Sequence, residues 1–141
     1  MKQGGRSENV YCGWQVKSDQ IPHEVLTSDV LLSYPGAEIV RGYKVDARIR
    51  ADAEMLLDGQ KFFVELDTGS ETHRQFEERM QAYENVKDFL LVVTLSELRL
   101  KRLLQHSQAV SSIALFTTLA RVVADPRGEI WIDTLGKNVA I

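Results

Sequence analysis

Polar and apolar residues alternate from Lys44 to Leu57, and this is the strongest local pattern in the chain. A period of two predicts a long β-strand with one buried face and one polar face. Asp58-Gly59 follows directly, and this dipeptide tolerates the positive φ angles of a type I′ turn. The pattern therefore predicts a β-hairpin whose second strand begins at Gln60, opposite Leu57.

A two-residue turn also fixes which residues of the two strands face each other. Asp52 is then opposite Glu65, and Arg50 is opposite Asp67. The apolar face of the hairpin pairs Ala51, Ala53 and Met55 with Leu66, Val64 and Phe62. We expect the other face to be a charged surface that carries Arg50, Asp52, Glu54, Lys61, Glu65 and Asp67.

Helical and strand patterns alternate along the rest of the chain. The run "DFLLVVTL" is continuously apolar, which is typical of a strand that is covered on both faces in a parallel sheet. The predicted elements are a helix at 22–33, a short strand within 37–43, the hairpin, a helix at 71–85, a strand at 88–95, a helix at 96–108, and strands at 111–119 and 130–132. This order predicts a single α/β domain over residues 21–141, with a mixed β-sheet flanked by helices, after an irregular N-terminal arm of residues 1–20.

Two of these helices carry further local signals. For the helix at 71–85, either Thr68 with Glu71 or Thr72 with Gln75 supplies an N-terminal capping box. The apolar stripe of that helix consists of Phe76, Met80 and Tyr83. The inward residues of the helix at 96–108 are predicted to include Leu98, Leu103 and Leu104.

Composition narrows the functional classes. Hydrophobic residues make up 44% and charged residues 26% of the 141 residues, as in an ordinary globular protein. No apolar run approaches the ~20 residues that span a bilayer, and the N-terminus has no apolar signal core, so we expect a cytoplasmic protein with no membrane contact. With a net charge of −3, the protein as a whole does not attract nucleic acid, so any contact with nucleic acid requires a local basic strip.

The facing acids Asp52 and Glu65 need a compensating positive charge, because like charges directly opposite each other destabilise a sheet. A hard divalent ion such as Mg²⁺ can supply it, since one or two carboxylates with water suffice to bind that ion. Alternatively, an ordinary ion-pair lattice neutralises the face, with Arg50 near Glu65 and Asp67. In that lattice, Lys61 pairs with Glu54.

The element order, with an Asp on one hairpin strand and a Glu on the next, resembles the core of PD-(D/E)XK nucleases. The segment "ADAEMLLDGQKFFVELDTGSE" is similar in particular to replication-relaxation proteins of plasmids and other mobile elements, whose segment reads approximately Pro-Asp-Ala, a hairpin, and Glu-x-Asp-x-Gly-Thr-Glu. "IPHEVLTSDVLL" and "ALFTTLARVVADPRGEIWI" also resemble that family, so the resemblance covers about residues 21 to 133. It implies a restriction-endonuclease-like fold.

The resemblance also implies roles for residues. Asp52 and Glu65 would bind Mg²⁺ or Mn²⁺, with Asp67 as a third ligand, and the metal would activate water for attack on a phosphodiester. Asp67, however, occupies the position of the lysine in the nuclease motif, which reverses the charge there. Arg50, opposite Asp67, is the candidate substitute for that lysine.

Contact with DNA would use basic residues near these acids. The candidates are Lys44, Arg48, Arg50, Arg74 and Arg79. For the strand residues, the alternative is a solvated face balanced by Asp46. For the helix residues, it is pairing with Glu77 and Glu78 at helical spacing.

Two functions follow from the resemblance. The first is a metal-dependent DNA phosphodiesterase, or a metal-assisted DNA binder, in plasmid or mobile-element DNA replication, relaxation or transfer. The second is a catalytically inactive nuclease-like module that binds a replication or relaxation protein or a second copy of itself. The family also carries a winged-helix DNA-binding region before this domain, which we do not expect in the twenty or so residues before the first helix.

Overall fold

Seven strands and four helices form the part of the chain that the computed structural model describes, which is residues 20–42, 51–107 and 113–141. Their order is α1 (Gln20–Leu32), β1 (Glu38–Arg41), β2 (Ala53–Leu57), β3 (Gln60–Asp67), α2 (His73–Ala82), β4 (Phe89–Thr94), α3 (Glu97–Ser107), β5 (Ala114–Thr118), α4 (Leu119–Ala124), β6 (Trp131–Ile132) and β7 (Asn138–Val139).

The strands form one mixed sheet in the order β1-β2-β3-β4-β5-β6-β7. The pairs β1–β2 and β2–β3 are antiparallel, β3–β4 and β4–β5 are parallel, and the last two pairs are antiparallel again. Each parallel connection contains a helix, because parallel neighbours need a crossover. The predicted class, a mixed sheet flanked by helices, is confirmed.

The hairpin register is confirmed over the whole of β2, but the predicted pair Asp52–Glu65 does not form because β2 begins at Ala53. Arg50, predicted opposite Asp67, lies outside the described residues. Leu57 pairs with Gln60 and Ala53 pairs with Val64. At the turn, Asp58 has φ 53° and Gly59 has φ 81°, as a type I′ turn requires.

The prediction of one charged, solvent-facing side of the hairpin is wrong. The sheet has two buried clusters, one on each face: α1 and α4 contribute Val30, Leu31 and Val122 to the first, and α2 and α3 contribute Phe76, Met80, Leu100 and Leu103 to the second. β3 is an interior strand with a parallel neighbour, so its crossover helices cover the face that carries Glu65 and Asp67.

The predicted long strand is interrupted at residues 51 and 52. Residues 43–50 lie outside the described residues, and β2 begins only at Ala53. Ala51 packs in the cluster under α2 and α3 rather than with Leu66 on the other face. The backbone bends at Asp52, whose carboxylate Oδ2 accepts the N–H of Leu66 at 2.7 Å.

Local predictions for the helices had mixed outcomes. Thr72 and Gln75 form the capping box of α2, so the alternative with Thr68 is wrong. In α3, Leu98 is 59% exposed, whereas Leu100 and Leu103 are buried. The prediction for Leu98 fails because Leu98 lies on the side of α3 opposite Leu100, Leu103 and Ser107, which are the buried residues of the helix.

Two described elements, α4 and β7, were not predicted, since each is short. Thr118 ends β5 and caps α4 by accepting the N–H of Arg121, so a strand passes directly into a helix without a loop signal. None of the helices in the described ranges combines the length and apolar character needed to cross a bilayer.

We predict that Gly59→Ala lowers the free energy of unfolding by about 1–2 kcal/mol, because an L-residue is strained at positive φ. No atom lies within 4 Å of a Cβ built at Gly59, so the cost is purely conformational. Gly59→Asn is the matched control and is expected to cost less, since Asn tolerates this region. Urea unfolding of the three proteins measures the effect, and equal costs for Ala and Asn would contradict it.

Candidate functional site: a buried charge cluster beside a cleft

Two carboxylates lie inside the protein on the last part of β3. Glu65 and Asp67 are each only 3% exposed, and both contact helices that cover the second face of the sheet. Because an unpaired buried charge is very costly, these acids need strong partners. Arginine side chains provide them.

Glu65 binds two groups from α2 and the residue after it. Arg79 Nη1 donates to Oε1 at 2.9 Å, and the Tyr83 hydroxyl donates to Oε2 at 2.6 Å. Burial raises the pKa of Glu65 to about 7; Arg79 and the Tyr83 hydrogen bond oppose that rise, while the charges of Asp52 and Glu71 add to it. Burial and the same carboxylate raise the pKa of Tyr83, so its hydroxyl stays protonated.

Asp67 is held by Arg99 of α3 in a bidentate pair. Nε donates to Oδ1 at 2.9 Å and Nη2 donates to Oδ2 at 3.0 Å. The N–H of Gly69 adds a third bond to Oδ1 at 2.8 Å. Both oxygens are therefore engaged, and the planar fork of the arginine matches the carboxylate geometry.

Arg79 is shared among several acids. Its Nη2 lies 2.7 Å from Glu71 Oε1 and 3.7 Å from Asp67 Oδ2, while Nη1 holds Glu65. Burial lowers the pKa of Arg79, but Glu65, Glu71, Asp67 and Asp52 outweigh it and raise the pKa overall. Its Nε is buried and has no hydrogen-bond partner among the described residues.

Asp52 approaches the cluster from the start of the hairpin. Its Oδ2 accepts the Leu66 N–H and lies 3.4 Å from His23 Nε2 of α1. The side chain is 21% exposed, so it is the most accessible of the three predicted metal ligands. Asp52 therefore links α1 to β3 at the edge of the cluster.

A cleft of about 460 Å³ opens beside these charges. It is lined mainly by polar groups: His23, Asp67, Thr68, Ser70, Glu71, Gln75 and Arg79, with Leu66. The cleft gives water access to the guanidinium of Arg79 and to Glu71, whereas Glu65 lies behind them.

The three predicted metal ligands do not fit an Mg²⁺ or Mn²⁺ site in this arrangement. Among the described residues, no group of three or more His, Cys, Asp or Glu side chains is placed to hold a metal ion. The oxygens of Glu65 and Asp67 accept bonds from Arg79, Tyr83 and Arg99, and a divalent ion would meet guanidinium charge where it needs free oxygen.

The structure describes two of the five predicted DNA-contacting residues, Arg74 and Arg79. Lys44, Arg48 and Arg50 lie outside the described residues, so the structure does not test the catalytic role predicted for Arg50. Arg74 is 88% exposed and pairs with Glu78 at 3.4 Å, as the alternative interpretation expected. Arg79 points inward to Glu65 and Glu71, so its predicted pairing with Glu77 or Glu78 is wrong.

Sequence reasoning missed Arg99, Tyr83, Glu71 and His23 as members of this cluster. A signal existed for Arg79, because it lies three residues after Phe76 and four before Tyr83, on the apolar stripe of α2. A charged residue on such a stripe indicates a buried partner. Nothing in the local pattern around Arg99 indicates its pairing with Asp67, which lies 32 residues earlier.

Comparison with protein families, with curated proteins and with solved structures gave no match to this chain. The part of the chain that the structure describes defines the class as a mixed α/β protein, with a seven-stranded sheet and a buried arginine–carboxylate cluster at the end of β3.

We predict that the stabilising contribution of Glu65 decreases as pH rises. Because its folded pKa, about 7, exceeds the ordinary glutamate pKa of 4.5, the contribution is full below about 4.5 and is lost as the pH rises through about 7. The difference in unfolding free energy between wild type and Glu65→Gln should fall over that range by on the order of 3 kcal/mol. Urea unfolding between those pH values measures it, and a rising difference would contradict it.

We predict that Arg99→Met destabilises the protein by about 3–5 kcal/mol, since it leaves the Asp67 carboxylate buried without its main partner. Adding Asp67→Asn to that variant should recover part of the loss. Arg74→Met, which removes an exposed arginine, is the matched control and should change stability by no more than about 0.5 kcal/mol. Equal effects at Arg99 and Arg74 in chemical denaturation would refute this role.

Proposed function

We propose that this chain is a nuclease-like module that has lost metal-dependent cleavage and works by binding other proteins in plasmid or mobile-element DNA replication, relaxation or transfer. The observation that carries the proposal is that Glu65 and Asp67, at the motif positions, are both neutralised by arginines. The biological setting rests on the resemblance of residues 21 to 133 to replication-relaxation proteins.

The order of elements supports the nuclease-like part of the proposal. A helix, a strand, an antiparallel hairpin, a covering helix and a parallel strand follow one another as α1, β1, β2–β3, α2 and β4. This is the order on which the resemblance to PD-(D/E)XK nucleases depends. Glu65 lies on β3 and Asp52 lies at the bend directly before β2, so the two acids are at the same end of the hairpin.

Electrostatics support the loss of cleavage. Metal-assisted hydrolysis needs a cation that polarises the phosphate and lowers the pKa of a bound water. Here the motif position that holds a lysine in active nucleases is Asp67, and Arg99 binds both of its oxygens. Within residues 20–42, 51–107 and 113–141, no free cationic group lies at that position to stabilise developing negative charge.

The alternative function is an Mg²⁺- or Mn²⁺-dependent DNA phosphodiesterase that uses Asp52 and Glu65. Its support is the cleft of about 460 Å³ beside the cluster, which has room for a ligand. Cleavage there requires Arg79 to leave Glu65, so that a metal can replace it. DNA contact in either proposal relies on Lys44, Arg48 and Arg50, which lie outside the described residues.

We predict that the wild-type protein does not cleave supercoiled or single-stranded DNA in Mg²⁺ or Mn²⁺ above the level of Glu65→Ala, which serves as the matched control. Any affinity for DNA, measured by fluorescence anisotropy, should be the same in metal and in chelator. Metal-dependent cleavage by the wild type that Glu65→Ala loses would overturn the proposal in favour of the phosphodiesterase.

A further inference from the structure

Arg79 is the meeting point of acids from three parts of the chain. β3 supplies Glu65 at 2.9 Å and Asp67 at 3.7 Å, and the loop before α2 supplies Glu71 at 2.7 Å. The charge of Asp52, at the start of the hairpin, also acts on this guanidinium. These acids lie 8 to 27 positions from Arg79 in sequence, so the fold and not helical spacing assembles them.

The bonding of this guanidinium shows that charge determines its position. Its two terminal nitrogens contact carboxylates, whereas its Nε is buried without a hydrogen-bond partner among the described residues. A buried donor without an acceptor is unfavourable, so the charge-assisted bonds of the two terminal nitrogens hold the side chain in place. Arg79 acts here as a positive charge held among oxygens.

We propose that the Arg79 guanidinium is a built-in counter-ion that takes the place of a divalent cation, and that its removal converts the surrounding carboxylates into a site for Mg²⁺ or Mn²⁺. This inference rests on the proposed function, since it explains how a nuclease-like carboxylate set is stable without metal. The wild-type protein then binds no divalent ion at this position.

The remaining ligands suit a hard cation. Without Arg79, Glu65 and Glu71 lose a cationic partner, while Arg99 still holds Asp67. Mg²⁺ binds through one or two carboxylates and keeps several waters, and the cleft that Glu71 lines admits water. A cation there offsets the repulsion among the acids, so its binding favours the folded state.

The test compares Arg79→Gln with wild type by thermal unfolding at pH 8, in chelator and in saturating MgCl₂ or MnCl₂. Arg79→Gln should have a lower Tm in chelator and recover by about 5–10 °C at a metal concentration near 100 times Kd. Wild type should show no metal-dependent shift. Titration of Mn²⁺ followed by electron paramagnetic resonance should detect one bound ion in the variant alone.

Three further variants make the test specific. Arg79→Lys keeps the charge and should show no metal response, and Arg74→Gln removes an exposed arginine from the same helix and should behave as wild type. Arg79→Gln combined with Glu65→Gln removes charge of both signs, so it should fold in chelator and be insensitive to metal.

Several outcomes overturn the inference. They are a metal-dependent shift in the wild type, an equal shift in Arg79→Lys, and Arg79→Gln that remains unfolded or unshifted in saturating metal. Failure of the proposed function is distinct, since it requires DNA cleavage by the wild type. If the wild type does not cleave DNA and Arg79→Gln shows no metal-dependent shift in Tm, the counter-ion role is rejected and the proposed function is not.

Discussion

Two carboxyl groups on a buried strand face are the constraint on which this structure depends. Glu65 and Asp67 lie on the side of β3 that α2 and α3 cover, each almost fully buried. Carboxylates taken out of water need an opposite charge with good geometry, because desolvation otherwise exceeds any attraction. The two helices therefore do more than cover apolar surface, since each brings one arginine to one acid.

This requirement connects elements that are distant in sequence. Arg79 ties α2 to β3 and to the loop at Glu71, and Arg99 ties α3 to the end of the same strand. Asp52 adds α1 through His23 and the hairpin through the Leu66 N–H. The end of β3 is consequently where polar contacts from three helices and the hairpin converge, and it is also where the cleft opens.

The same contacts decide between chemical roles for the acids. A carboxylate that accepts bonds from a guanidinium on both oxygens has little capacity left for a metal ion, whatever its position in a motif. Under the proposed function, such an arrangement of acids is kept for its structural value after its chemistry is lost. In this view, the arginines preserve the shape of the carboxylate set and supply the positive charge that a cofactor would otherwise provide.

The sequence alone determined the hairpin, its register and the parallel strand β4, because Asp58-Gly59 and the period-two and continuous apolar patterns are local signals. It also located Asp52, Glu65 and Asp67 as a group. The sequence could not show that the polar side of β3 is buried. The same alternation of polar and apolar residues occurs in a strand that faces solvent and in a strand that a helix covers. Only tertiary structure decided which cations meet those acids: Arg79 and Arg99 reach them across 14 and 32 positions of chain, and packing of α2 and α3 on the sheet sets those distances.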